Sequence, residues 1–331
     1  MPHNIAVIGA GVIGLSTAYK ILQDIPGCKV TIFYAESSPN TTGDISAGFI
    51  YPYECGQDAT NQAQYFRDTM EYFRAIFDRP DAFEIGVSEQ SGFMLKADQN
   101  MQPYVFTEFP NFRTASEKEI KHFLRGTKHR PVYAFTTWIC ECSKYLPWLT
   151  KNIENLGGKF IQRKISSFEE LSDFDFIANC TGIGAKYLTS DDQLTPVRGQ
   201  VFAVEAPWIK HFYLSGDYYI LPRLTDVVLG GTHQTGDYNL EIDKEDADKI
   251  WKGCCEIEPS LKYSKIISQH VGLRPKRKSI RIELEQKILN NKNVTILHNY
   301  GHGGSGVTLH WGCAMEASLV LQRHLNLVQK L

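Results

Sequence analysis

Ile5-Ala6-Val7-Ile8 is a short, β-branched apolar run of the kind that forms a strand buried on both faces, and Gly9-Ala10-Gly11-Val12-Ile13-Gly14 follows it at once. Val12, Leu15, Tyr19 and Leu22 then recur as one stripe of an amphipathic helix, which Pro26-Gly27 closes. Lys29 to Tyr34 supplies a second strand, and Glu36 lies 22 residues beyond Gly14. These parts, in this order, make a complete βαβ unit for a dinucleotide. Gly9 permits the tight turn, Gly11 lets backbone N–H groups approach a pyrophosphate at the helix N-terminus, and Gly14 lets helix and strand pack closely. Glu36 is placed to accept hydrogen bonds from an adenosine ribose. An acid at that position argues against a 2'-phosphate, which leaves FAD or NAD.

The chain of 331 residues as a whole carries no sign of a polyanion-binding surface, because 35 Lys+Arg stand against 37 Asp+Glu. With 43% hydrophobic residues the chain has enough apolar material for a substantial core, in two domains or one large one, and disorder is excluded as its dominant state. The uncharged stretch Ile5 to Tyr19, at 15 residues with three glycines, reads as neither a membrane span nor a secretion signal. Eight cysteines (Cys28, Cys55, Cys140, Cys142, Cys180, Cys254, Cys255, Cys313) are too sparse for a disulfide scaffold and read as reduced thiols of an intracellular protein. Cys140-Glu141-Cys142 and Cys254-Cys255 lack the gap that brings two sulfurs to one tetrahedral zinc, so core packing is expected of them and no metal site.

After the first unit the pattern does not continue as a regular nicotinamide domain. Leu146, Leu149, Ile153 and Leu156 form another helical stripe ended by Gly157-Gly158, whose glycines suit a left-handed cap. Strands are expected over Phe160 to Ile165 and Phe174 to Cys180, followed by Thr181-Gly182-Ile183-Gly184, where the chain returns to the nucleotide domain. Gln200 to Val204, Tyr218 to Leu221 and Val227 to Leu229 are short runs of a second, mostly antiparallel part. A helix over Lys244 to Ile257 has Asp243 as N-cap and Pro259 as terminator. The fold class expected is α/β: a Rossmann-like FAD-binding domain, discontinuous over residues 1–50, 140–195 and 270–331, with a second domain on a mostly antiparallel sheet over 51–139 and 196–269.

A second glycine cluster, Gly301-His302-Gly303-Gly304-Ser305-Gly306, opens a buried helix marked by Val307, Trp311, Ala314, Ser318, Leu321 and Leu325. Two glycine loops at helix N-termini, nearly 300 residues apart, suit a long ligand with two groups that want backbone donors. FAD has a pyrophosphate and an isoalloxazine edge that becomes negative on reduction, so the pattern favours flavin over nicotinamide.

Taken together, Gly9 to Gly14, Ala47-Gly48, Asn179-Cys180-Thr181-Gly182, Pro196-Val197-Arg198-Gly199-Gln200, Ala206-Pro207-Trp208, Gly272-Leu273-Arg274-Pro275 and His298 to Gly304 resemble the FAD-dependent D-amino-acid oxidase and D-aspartate oxidase family over essentially the whole chain. The resemblance implies non-covalent FAD held by Gly9, Gly11, Val12, Ile13, Gly14, Glu36, Thr41, Thr42, Ala47, Gly48, Ile165, Gly303, Gly304, Gly306, Val307 and Thr308. It implies that Arg274 binds the substrate carboxylate, that Tyr219 shares it, and that the Gly304 carbonyl accepts from the substrate amine. A planar guanidinium that stays charged when desolvated suits that task. The implied chemistry is hydride transfer from Cα to the flavin without a protein acid or base, then reoxidation by oxygen with release of hydrogen peroxide, and hydrolysis to a 2-oxo acid and ammonia. His298 and His302 are accordingly expected to be structural.

Ala134-Phe135-Thr136-Thr137, Tyr145-Leu146-Pro147-Trp148-Leu149 and Gly230-Gly231-Thr232 resemble the D-aspartate branch, yet His233 stands where that branch has an arginine. Phe49 and Tyr51 suggest an aromatic-walled pocket. His233 if protonated, and Arg223 four residues past Tyr219, are the candidate cations for a side-chain carboxylate. Acidic D-amino acids are expected to be slightly favoured, with mainly neutral D-amino acids as the alternative. A nicotinamide-dependent imino-acid reductase and a non-catalytic FAD-bound D-amino-acid sensor are remoter readings. Expected partners are a small-molecule substrate and oxygen, with no nucleic acid or membrane, a homodimer, and a peroxisomal import receptor. The receptor would read Gln329-Lys330-Leu331, similar to Ser-Lys-Leu except at its first position, and so place the protein in the peroxisome.

Overall fold

The computed structural model describes residues 3–53, 59–96, 105–125, 127–129 and 131–328. Cys55 and the tripeptide Gln329-Lys330-Leu331 lie outside them.

The N-terminal strand Asn4–Ile8 is flanked by parallel neighbours on both edges. Its register pairs Ile5 with Val30 of the strand Lys29–Tyr34 and Ala6 with Ile177 of the strand Phe176–Asn179. Strands Lys159–Gln162 and Lys292–His302 extend this parallel set outward on either side. Side chains alternate across a pleat. Ile5 and Val7 therefore enter one apolar cluster with the helices Val12–Asp24, Ala59–Phe77, Cys142–Asn155 and Gly306–Val328, while Ala6 and Ile8 enter another with Phe33, Phe168 and Ile296. That two-sided burial is why the run contains no polar residue.

A single strand, Lys265–Leu289, carries the sheet from its parallel to its antiparallel part. Residues Lys276 to Leu289 pair with Lys292–His302, and residues Lys265 to Lys276 pair antiparallel with Thr195–Glu205. Beyond it the order continues through Val227–Gly230, Tyr218–Pro222, Phe212–Ser215, Val87–Lys96, Tyr133–Cys140 and Arg113–Thr114. This wing has its own apolar cluster, in which Phe202, Val204, Ile220 and Leu229 pack against Ile250 and Cys254 of the helix Lys244–Ile257. The Asp243 side chain caps that helix by accepting from Asp246 N. No helix among the described residues is long and apolar enough to cross a membrane.

Some local expectations need correction. The strand expected to reach Ile165 ends at Gln162, and the one expected over Phe174 to Cys180 spans Phe176–Asn179. The parallel ladder stops there, with Tyr34 opposite Gln162, Ile5 opposite Phe176 and Ile8 opposite Asn179. Leu156 is not part of its helix's buried stripe. It falls just past Asn155, where Gly157 turns the chain at φ +86°, and it is 47% exposed.

Gly14 tests the close packing expected of it. A Cβ there would lie 1.9 Å from the Gly9 carbonyl oxygen, well inside contact distance. Gly14→Ala should lower the midpoint of denaturant unfolding at unchanged slope, with a loss of about 1–3 kcal/mol typical of overpacking. An unshifted midpoint would remove this account of the turn.

Candidate active site

Two loops meet over the end of the parallel sheet. Gly9 adopts φ +114° against the Cys180 carbonyl, to which a Cβ would come within 2.6 Å. Gly11 follows as the N-cap of the helix Val12–Asp24 with no side chain capping it, and a Cβ on Gly11 would meet nothing within 4 Å. The first N–H groups of this helix therefore face open space, the arrangement that receives an anion. From the other end of the chain, Gly303–Ser305 forms a 3-10 turn leading into the helix Gly306–Val328.

Hydroxyl bridges lock the second loop to the segment at 49–53. Ser305 Oγ accepts from Tyr53 N at 2.7 Å and donates to Tyr53 O at 2.7 Å. Thr308 Oγ1 does the same for Tyr51, at 3.2 and 3.0 Å. Deeper down, Ser16 Oγ meets His310 Nδ1 at 2.8 Å, and Asn299 Nδ2 donates to Thr17 Oγ1 at 3.0 Å.

Between the loops runs one cavity of about 1520 Å³, lined by both Glu36 and Arg274. Every residue expected to hold the cofactor lines it except Gly14, which is turned into the helix–strand contact and so serves the site only through packing. Ile165 reaches the wall because the preceding strand has already ended. Thr41 contributes its backbone position, since its hydroxyl donates to Asp44 Oδ2 at 2.6 Å in a capping box over the helix Thr42–Ile45. A helix N-terminus with no side-chain cap, the acid Glu36 and a second glycine turn, all lining one cavity, fit FAD. The wall also includes Arg163, Lys164, Tyr53 and Thr232; Thr232 closes the Gly230-Gly231-Thr232 motif, and Tyr53 stands in no periodic pattern or glycine motif that would have marked it.

Arg274, Tyr219, His233 and Gly304 come together at the far end. Arg274 Nη1 donates to the Thr232 carbonyl at 3.1 Å and lies 3.5 Å from that of Arg198, and its Cζ is 6.0 Å from the centre of the Tyr53 ring. Burial pushes the Tyr219 hydroxyl above its ordinary range, and the adjoining Arg274 guanidinium, which it hydrogen-bonds, pulls the other way. His233 Nδ1 is 3.0 Å from the Tyr53 hydroxyl. Phe49 also lines the cavity, edge-on to Phe212 at 4.8 Å.

Arg223 is not part of this constellation. It is tied to Asp226 by two hydrogen bonds of 2.7 and 2.6 Å, because the turn after its strand brings that acid back three residues later. His298 is buried between Glu285, at 2.9 Å, and Asn179. Burial above all pushes its pKa down to about 4. The described cysteines are free, and burial raises the thiols of Cys180 and Cys254 to about 12.

Burial pushes His302 and His310 down to about 3, each from 6.5. Their neutral forms therefore stabilise the fold fully above about pH 6.5, and that contribution is lost as pH falls from there towards 3. Thermal unfolding midpoints should fall between pH 7 and 5, and His310→Gln, which keeps a partner for Ser16, should flatten the fall. A variant with the parent's pH slope would show that this histidine does not carry the effect.

Comparison with known proteins agrees with the cavity. A family model described as DAO, FAD dependent oxidoreductase, matches residues 4–318. D-aspartate oxidase of Homo sapiens is 40% identical over 325 residues, covering 95% of this chain and 93% of the human protein. D-amino acid oxidase of Dugesia ryukyuensis is 37% identical over 321 residues, covering 95% and 96%. Among solved structures, glycine oxidase from Bacillus cereus superposes with a TM-score of 0.76 over 97% of this chain and 95% of its own, at 18% identity, a likeness of fold.

Proposed function

The chain belongs to the DAO family of FAD-dependent oxidoreductases, and from that premise we propose that it oxidatively deaminates D-amino acids to 2-oxo acids and ammonia, releases hydrogen peroxide, and slightly favours acidic side chains. The observation that carries this reading is Arg274. Its described partners are two carbonyls, a tyrosine hydroxyl and an aromatic ring, so its charge is unneutralised at the mouth of the cavity. A partly buried cation without a carboxylate carries a desolvation cost that a carboxylate ligand would offset.

In this reading Arg274 takes the α-carboxylate in two parallel hydrogen bonds and the Tyr219 hydroxyl donates a third. The Gly304 carbonyl, fixed by the Ser305–Tyr53 bridge, accepts from the neutral amine and orients Cα–H towards the cavity. FAD supplies the hydride acceptor. No side chain takes a proton in this scheme, and the protein's contribution is alignment in a site walled by Phe49 and Tyr53. Protonated His233 attracts a second carboxylate. The human D-aspartate oxidase likeness supports the acidic preference, and the histidine's bond to Tyr53 favours near-equal use of neutral substrates. We assign the enzyme to the peroxisome, where its peroxide is disposed of, with a homodimer and an import receptor as its macromolecular partners.

A peroxide assay over a panel of D-amino acids tests the reading, with turnover of D-aspartate and D-alanine expected and inactivity on all D-amino acids overturning it. Arg274→Leu should keep FAD and lose about thirty-fold to several-thousand-fold in apparent substrate affinity, the cost of an unpaired buried charge. Near-normal activity would show that the carboxylate binds elsewhere. Because a bound dicarboxylate favours imidazolium, D-aspartate turnover relative to D-alanine should fall as pH rises from about 6 to about 8. A flat ratio would remove His233 from side-chain recognition.

A further inference from the structure

The guanidinium of Arg274 stands on a residue that has no side chain. In the antiparallel ladder between Lys265–Leu289 and Thr195–Glu205, Gly272 pairs with Gly199 and Arg274 with Val197. A Cβ built on Gly199 would lie 2.4 Å from each of Nη1 and Nη2 and 2.5 Å from Cζ of Arg274, and no other atom is nearer. Ordinary carbon contacts fall at about 3.5–4.0 Å, so a methyl group there and the present guanidinium cannot coexist. Glycine is not demanded by the backbone at 199, which is not among the positions with positive φ. The missing side chain matters for the space above it.

The strand under the guanidinium is held on both sides of Gly199, which decides what would give way. Arg198 is 1% exposed and its guanidinium donates to Asn239 O, Gln234 Oε1, Asp246 Oδ2, Gln200 Oε1 and Glu241 O, all between 2.7 and 2.9 Å. All five donors of an arginine are thereby engaged. On the other side Gln200 N donates to Thr232 Oγ1 at 2.9 Å, next to the carbonyl that receives Arg274 Nη1. A backbone anchored this way moves less readily than the end of a long side chain, so a Cβ would displace Arg274.

We propose that Gly199 is a positioning residue for the oxidation of D-amino acids: its bare Cα sets the height at which Arg274 presents its two Nη donors to the substrate carboxylate. The inference rests on the reading of Arg274 as the carboxylate binder. Gly199 touches neither substrate nor cofactor in this account and acts through the arginine. Arg274 is oriented by two carbonyls and the Tyr219 hydroxyl, with no acid among its described partners to compete with the substrate.

The test compares the FAD-loaded parent, Gly199→Ala, Arg274→Ala and the double variant by FAD absorbance, KM and kcat for D-alanine, and thermal midpoint. Gly199→Ala is expected to keep FAD, raise KM tenfold or more with a smaller change in kcat, and lower the midpoint. In the Arg274→Ala background the same substitution should leave the midpoint unshifted, because the new methyl enters the vacated volume. An equal loss of midpoint in both backgrounds overturns the proposal, since it places the cost in the backbone. A parental KM in Gly199→Ala beside a crippled Arg274→Ala also overturns it and leaves the carboxylate reading standing. A parental KM in Arg274→Ala overturns that reading and this proposal with it. Should Gly199→Ala alone fail to fold, recovery of folded, FAD-loaded protein in the double variant supports the proposal, and no recovery overturns it.

Discussion

The site exists because the two ends of the chain are packed against each other through a largely buried polar seam. Ser16 and Thr17 on the first helix meet His310 and Asn299 near the last, and Ser318 donates to Asp24 at 2.8 Å further along the same pair of helices. Buried polar groups seek partners, and these hydrogen bonds form only when the helices sit in one relative position. That position sets the Gly9 and Gly303 turns over one cavity. The Ser305 and Thr308 bridges then place the 49–53 segment, and with it the aromatic wall of the substrate end.

Three arginines show how environment decides what the same side chain does. Arg198 is fully enclosed with every donor engaged, and it organises the loop that follows His233. Arg223 is neutralised by Asp226 within its own turn. Arg274 is held by carbonyls and keeps its charge for a ligand. Composition treats the three alike, and charge counting along the chain cannot separate them.

Much of the cofactor end was legible from local pattern. A strand run, three glycines at fixed spacing, a helical stripe and an acid are all set within some thirty residues, and the structure places them as spacing requires. The second glycine loop was legible for the same reason. The strand Lys265–Leu289 was not recognised, although Ile280, Ile282 and Leu284 alternate with Arg281, Glu283 and Glu285. Its first half alternates less cleanly, and Gly272 and Pro275 interrupt the pattern. Strand ends at Gln162 and Asn179 depend on where partners stop, which no single segment contains.

By itself the sequence determined the βαβ unit and the two glycine-opened helices, since each depends on neighbours a few positions apart. Only the tertiary structure decided that Gly14 packs without lining the cavity, that Arg223 is paired, that Tyr53 joins His233 to the substrate end, and that Gly199 lies beneath the Arg274 guanidinium. Arg223 finds its acid three residues away, whereas the other facts arise from strand pairing and helix docking across separations of up to 180 residues, where the energy of a contact depends on what else has arrived beside it.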